Sequence, residues 1–216
     1  MIYYSEYDFL FLTVLKSGST VFKKLFEFVI GRESDAPYFK VLPKTYITVV
    51  RNPYDRLVTQ FYHANKNEIY KDYKFTTHQP LFKKWVKETF EDGYKGDDWH
   101  MHTQAHLLQH YENNLPYKIF KLEELIPHEL FFFLDLSEER KKEIDDEFPK
   151  IMVELEKSKH HTTNNIKQGV WQIYYDSKTI EICNKHFIND FVAFNYEIIE
   201  PEEFKPTYFE YKVKLI

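Results

Sequence analysis

Apolar residues come in two rhythms along this chain. Asp8 to Leu15 (DFLFLTVL) and Tyr46 to Val50 (YITVV) are nearly unbroken apolar runs of strand length, the pattern of strands covered on both faces. Tyr117 to Lys121 (YKIFK) reads as a third, shorter strand. Between the first two, Val21, Phe22, Leu25, Phe26 and Val29 recur at helical spacing, so a helix is predicted from Thr20 to Ile30, with Gly31 as its stop. After the second run, Asn52 reads as an N-cap and Pro53 as the first helical residue. That helix is predicted to reach about Asn65, with Leu57, Val58, Phe61 and Tyr62 inward. Further helices are predicted over Leu81–Phe90, His102–Tyr111, Glu123–Leu134, Glu138–Lys157 and Ile173–Phe194. Asp92–Asp98 and His160–Gly169 read as loops, and residues 201–216 as a C-terminal arm. Strands alternating with helices predict an α/β sandwich around a small parallel sheet, with a helix-rich C-terminal half, as one domain over 1–216.

Composition narrows the class. The 216 residues include 20 Phe, 17 Tyr and three Trp but only five Gly, which excludes collagen-like and glycine-rich disordered chains. Net charge is −5, which argues against a broad polyanion binder; no nucleic-acid partner is expected. Cys183 stands alone, so no disulfide can form within the chain, and a reducing compartment is favoured. No stretch approaches the roughly 18–20 apolar residues of a membrane span, and the start MIYYSEYDFLFL is acidic where a signal peptide is basic. A cytoplasmic protein without a membrane partner is expected.

The first strand runs into Lys16-Ser17-Gly18-Ser19-Thr20 and then a helix. A helix N-terminus offers unpaired amides and a positive dipole end to an anion. Gly18 allows close backbone approach, Ser17, Ser19 and Thr20 bring hydroxyls, and Lys16 brings a charge. From this segment alone an ordinary N-capped turn is an equal reading. A Walker A loop is excluded, because Ser19 rather than lysine follows Gly18 and Thr13 stands where the first glycine would fall. A nucleotide kinase is therefore disfavoured.

The second loop adds what the first lacks. Arg51 ends a buried strand, where open α/β sheets place their ligands. On the helix that follows, Asn52, Arg56, Thr59 and His63 are spaced to share one face, and a guanidinium with a hydroxyl eight residues on makes a phosphate clamp.

Together the two loops resemble those of sulfotransferases that use 3′-phosphoadenosine 5′-phosphosulfate (PAPS). That family has a first motif of the form PK[ST]G[ST]T, here Leu15 to Thr20, and a second of the form R[ND]PxxRxxS, here Arg51 to Thr59. Weaker likeness to the carbohydrate sulfotransferases continues through His100 and Gln104, Tyr117–Leu125, and Asp190–Tyr196, where Asn195 replaces a glycine. The chain departs at Leu15, which replaces proline, at Thr59, which replaces serine, and at Val21, where some members stack a tryptophan on adenine.

The resemblance implies a P-loop-like three-layer fold and sulfuryl transfer from PAPS to an acceptor hydroxyl, taken to be on a carbohydrate or small molecule, with no metal. It assigns charge stabilisation to Lys16, the 5′ group to Lys16, Ser17, Gly18, Ser19 and Thr20, and the 3′-phosphate to Arg51 and Thr59. The base that activates the acceptor does not transfer from the family. His100 and Glu33 are the candidates, followed by His63 and His102. His102, His106 and His110 at four-residue spacing raise a zinc alternative, which the missing HExxH and the lack of an acidic partner disfavour. A non-catalytic phosphonucleotide-binding domain is the other alternative.

Overall fold

The computed structural model describes residues 2–4, 9–31, 45–65, 75–109, 117–157 and 171–205. It is a mixed α/β chain that divides into two compact units, each drawn from two stretches: Met1–Asn52 with Asp98–Asn165, and Pro53–Asp97 with Ile166–Ile216.

The first unit holds a four-stranded sheet in the order β1 (Ile2–Tyr4), β2 (Phe9–Leu12), β3 (Thr45–Val50) and β4 (Tyr117–Lys121). β2, β3 and β4 are parallel, as the apolar runs predict, and β1 adds an antiparallel edge. The pleat sends Phe9, Phe11, Ile47, Val49 and Phe120 into one core with Phe22, Leu25 and Phe26 of α1 (Ser19–Ile30). Leu130, Phe131, Ile144 and Ile151 complete it. Phe26 is central, with ring centroids 4.9 Å from Phe11, 5.3 Å from Phe9 and 5.0 Å from Phe131. The opposite sheet positions Leu10, Leu12, Tyr46, Thr48 and Val50 are buried too, which explains why both strands read as continuous apolar runs.

The helix predicted over Glu123–Leu134 does not form. Leu122–Glu124 and Pro127–Phe131 are separate 3₁₀ turns, with Leu125 and Ile126 extended between them. Pro127 contributes: it has no N–H to donate and disfavours helical geometry for the residue before it, and Ile126 is extended. The long helix then follows as predicted, Glu138–Lys157.

In the second unit, α2 spans Pro53–Ala64, α3 spans Phe75–Phe90, and a 3₁₀ turn at Trp171–Tyr174 precedes a helix over Ser177–Phe194. α3 begins six residues earlier than predicted and runs through Pro80. His78, buried in its first turns, is tied to α2 by a 3.0 Å hydrogen bond between its Nδ1 and the Tyr62 hydroxyl. That hydroxyl also bonds Tyr174 at 2.7 Å, and burial raises both phenol pKa values, so the chain stays protonated. The predicted Ile173–Phe194 helix is broken at extended Asp176, which accepts from Thr179 N–H in a capping box. At its other end Asn195 is left-handed, φ 52°. That explains the Asn-for-Gly departure noted above, since asparagine is the side-chain residue best suited to this conformation.

The core of this unit is aromatic. Tyr54 stacks on Trp171 at 4.6 Å and meets Phe191 at 4.9 Å, and Phe82 packs against Phe61 and Tyr175. The Tyr54 hydroxyl donates to Asn184 Oδ1 at 2.5 Å and accepts the Ile199 N–H at 2.9 Å, fixing the segment after the last helix. Among the described residues there are six α-helices, and no helix is long and apolar enough to cross a membrane.

Candidate functional site

The chain leaves β2 at Leu12 and turns through Leu15–Gly18 before α1 begins at Ser19. Two residues of the turn have left-handed backbone: Lys16 at φ 67° and Gly18 at φ 81°. Gly18 needs to be glycine for a second reason. A Cβ there would lie 2.9 Å from Cε2 of Phe22, a ring locked in the core. Lys16 has no such dispensation, and a lysine held left-handed costs roughly 1–2 kcal/mol. Strain of this kind collects where a side chain must be aimed. Ser19 and Thr20 are the first residues of α1, so the helix's amide end faces the turn.

Ser17, between the two left-handed residues, is buried, and its hydroxyl donates to Gln104 Oε1 at 2.8 Å. Its N–H reaches back to Val14 O at 3.3 Å. The Ser17 side chain thus faces the protein interior.

Arg51 lies just past the end of β3 and is also buried. Its Nη1 donates to Lys16 O at 3.4 Å, so the two sequence motifs meet. Its backbone is held as well: the N–H donates to Gln104 Oε1 at 2.9 Å, and the C=O accepts from Gln104 Nε2 at 2.7 Å. The next amide, Asn52 N–H, donates to Glu123 Oε1 at 2.7 Å, from the turn that follows β4. The segment that carries Gln104 therefore joins the two loops.

That segment is Asp98 to Gln109, which ends in the short helix α4 (Gln104–Gln109). His100 sits in the turn before α4. Its Nδ1 is 2.7 Å from Asp98 Oδ1, which also accepts the His100 backbone N–H at 2.9 Å. Beside it, Trp99 is half exposed, with its ring centroid 5.6 Å from His102, and the His102 and His106 rings stack at 4.9 Å. Stacked rings keep their nitrogen lone pairs in parallel planes, which does not suit joint coordination of one ion. His110 lies outside the described residues.

The first unit thus brings Lys16, Ser17, Gly18, Ser19, Thr20 and Arg51 to one end of the parallel strands and carries His100 on the segment that binds them. Thr59 belongs to the second unit. It is buried in α2, and its hydroxyl donates to Arg56 O at 2.7 Å. The face of α2 that carries Arg56 and Thr59 is buried along with the apolar one. Every residue from Pro53 to Tyr62 is buried, including Arg56, whose guanidinium lies 6.0 Å from the Phe187 ring centroid. His63 is half-buried, and Glu33 and the His160–Gly169 loop lie outside the described residues.

In the sequence Gln104 is marked only as part of a family-like segment, and Asp98 and Glu123 are given no role. Asp98 could have been read from its place two residues before a candidate base. Nothing local marks Gln104, whose partners are 53 and 87 residues away.

Residues 1–197 match the model of a family described as the sulfotransferase family. No curated protein and no solved structure matches the chain.

Proposed function

The chain belongs to the sulfotransferase family and is therefore a sulfuryl-transferring enzyme, and on that premise we propose that its donor is PAPS and its acceptor a carbohydrate hydroxyl. The observation that supports the donor is the contact between the two motifs, Arg51 Nη1 with Lys16 O. It sets a cation beside a glycine-containing turn that opens a twelve-residue helix, a donor set suited to a multiply charged phosphosulfate.

PAPS supplies an activated sulfuryl group, and its adenosine bisphosphate portion departs when that group is transferred. Loop amides at the start of α1 hold the 5′ group, and Lys16 stabilises the charge that builds there as the bond to sulfur breaks. Arg51 and Thr59 are the 3′-phosphate residues by the family's second motif. As folded, the Thr59 proton points to Arg56 O, so donating to a phosphate requires its hydroxyl to turn. His100 takes the proton from the acceptor hydroxyl. Asp98 can only accept at Nδ1, which places the His100 proton there and leaves the Nε2 lone pair as the base. Half-exposed Trp99, next to His100, offers an aromatic face of the kind on which sugar rings stack.

Thermal melting tests the donor assignment. At about 100 times its Kd, the product 3′-phosphoadenosine 5′-phosphate (PAP) should raise Tm by roughly 5–10 °C, and ADP, lacking the 3′-phosphate, much less. Stabilisation by ATP with magnesium and none by PAP would overturn the reading. Transfer of radiolabelled sulfate from PAPS across sugar, phenol and amine acceptors tests the rest.

A further inference from the structure

Gln104 is completely buried, unusual for a glutamine, and it is bonded to both donor loops. We propose that Gln104 is a positioning residue that holds the Lys16–Gly18 turn and the Arg51 strand end in one register, a role that rests on the donor assignment above.

β3 pairs with β2 as far as Leu12↔Thr48 and with β4 as far as Val50↔Lys121, so the ladders end before Arg51. Gln104 then takes both main-chain groups of Arg51, its Oε1 from the N–H and its Nε2 to the C=O. One side-chain amide thus makes the pair of bonds that a neighbouring strand would make. The same Oε1 accepts the Ser17 hydroxyl, and Arg51 Nη1 returns to Lys16 O. The result is a closed ring, Ser17 to Gln104 to Arg51 to Lys16, whose last link is the peptide bond between Lys16 and Ser17. Ser17 sits between the two left-handed residues, so fixing it fixes the turn that aims Lys16.

Only a group that accepts and donates at once can fill this place. Gln104→Glu keeps the shape but, when ionised, presents a carboxylate to Arg51 O where an N–H is required. When protonated, its O–H restores the donor. Burial favours the protonated form of such a carboxyl, against the bonds to its oxygen from Ser17 and the Arg51 N–H and the charge of the Arg51 guanidinium. The variant should therefore bind PAP roughly tenfold or more weakly than wild type at high pH and regain affinity as pH falls, while wild type changes little over the same interval. The KM for PAPS should follow the same course. Gln104→Ala should weaken PAP by a similar or larger factor at every pH. It should speed hydrogen exchange at the Arg51 amide and be less than additive with Ser17→Ala.

PAP titrations are run at temperatures where each variant is folded. If Gln104→Glu binds PAP as tightly as wild type at all pH values, the positioning role is overturned. It is overturned equally if affinity is unchanged and only Tm falls, which is the mark of a structural glutamine. Should Gln104→Ala fail to fold, the pH course of Gln104→Glu still decides. A wild-type protein that does not bind PAP removes the donor assignment and this role together; one that binds PAP, beside an insensitive Gln104→Glu, removes this role alone.

Discussion

Asp98 Oδ1 accepts two hydrogen bonds from one residue, the backbone N–H and the ring Nδ1 of His100. The pair holds the imidazole in position against Asp98, and on the function proposed above His100 would be the base. His100→Gln should lower kcat by about 10²–10⁴-fold and leave PAP affinity unchanged, because the lost step is proton removal and not donor binding. Asp98→Asn should lower kcat by a smaller factor. Steady-state kinetics with a PAP titration check both, and an unchanged kcat in His100→Gln would return the role of base to another residue.

Lys16 carries a backbone cost and, on the function proposed above, a chemical role, and the two can be separated. Lys16→Ala and Lys16→Gly should both abolish sulfate transfer. Glycine adopts the left-handed conformation freely, so Lys16→Gly should be more stable than Lys16→Ala by about 1 kcal/mol in urea denaturation. Retained transfer in either variant would remove Lys16 from the chemistry.

Arg51 is assigned to the phosphate that separates PAP from ADP. Arg51→Ala should weaken PAP by roughly tenfold to a hundredfold and ADP far less, so the preference between them collapses. Arg51→Lys keeps the charge without the planar fork and should recover only part of it. Calorimetric titration with the two nucleotides reads the difference.

Cys183 is completely buried beside Tyr175, and burial pushes its thiol pKa up. The neutral thiol is a poor nucleophile, so thiol reagents should leave the folded protein unmodified and react with one equivalent after unfolding. Oxidants should likewise leave activity intact.

Asp176 caps the last helix. Burial alone would raise its pKa, but bonds from Thr179 and the nearby Lys83 outweigh that and hold it below its ordinary value of 3.8. A depressed carboxyl stabilises the fold above its ordinary pKa, and that stability is lost as pH falls through the lower folded value. Melts between about pH 5 and about pH 2 should show the loss, and Asp176→Ala should cost about 1 kcal/mol at neutral pH and flatten that part of the curve.

What could be read from the sequence was what short windows encode. The run at Tyr46–Val50, the α1 period and the stop at Gly31 formed as patterned, while the run from Asp8 to Leu15 holds a strand only over Phe9–Leu12 before the turn. β1, three residues long, has too few positions for a period to show. The Glu123–Leu134 reading followed helical spacing and gave too little weight to Pro127. At the site, the types and order of Lys16, Gly18 and Arg51 were legible because anion binding demands them locally. The ring through Gln104 was not, because it depends on tertiary contacts that bring residue 104 back to residues 17 and 51.

Each unit is built from two separated stretches, and this sets a timetable for synthesis. Phe82 leaves the ribosome about 90 residues before Tyr174 and Tyr175, the rings it packs against. At translation rates of about 5–20 residues per second, that delay is roughly 5–20 s of exposed aromatic surface. A chain arrested after Asp97 would contain part of each unit and neither core complete, so its fate would rest with chaperones and proteases.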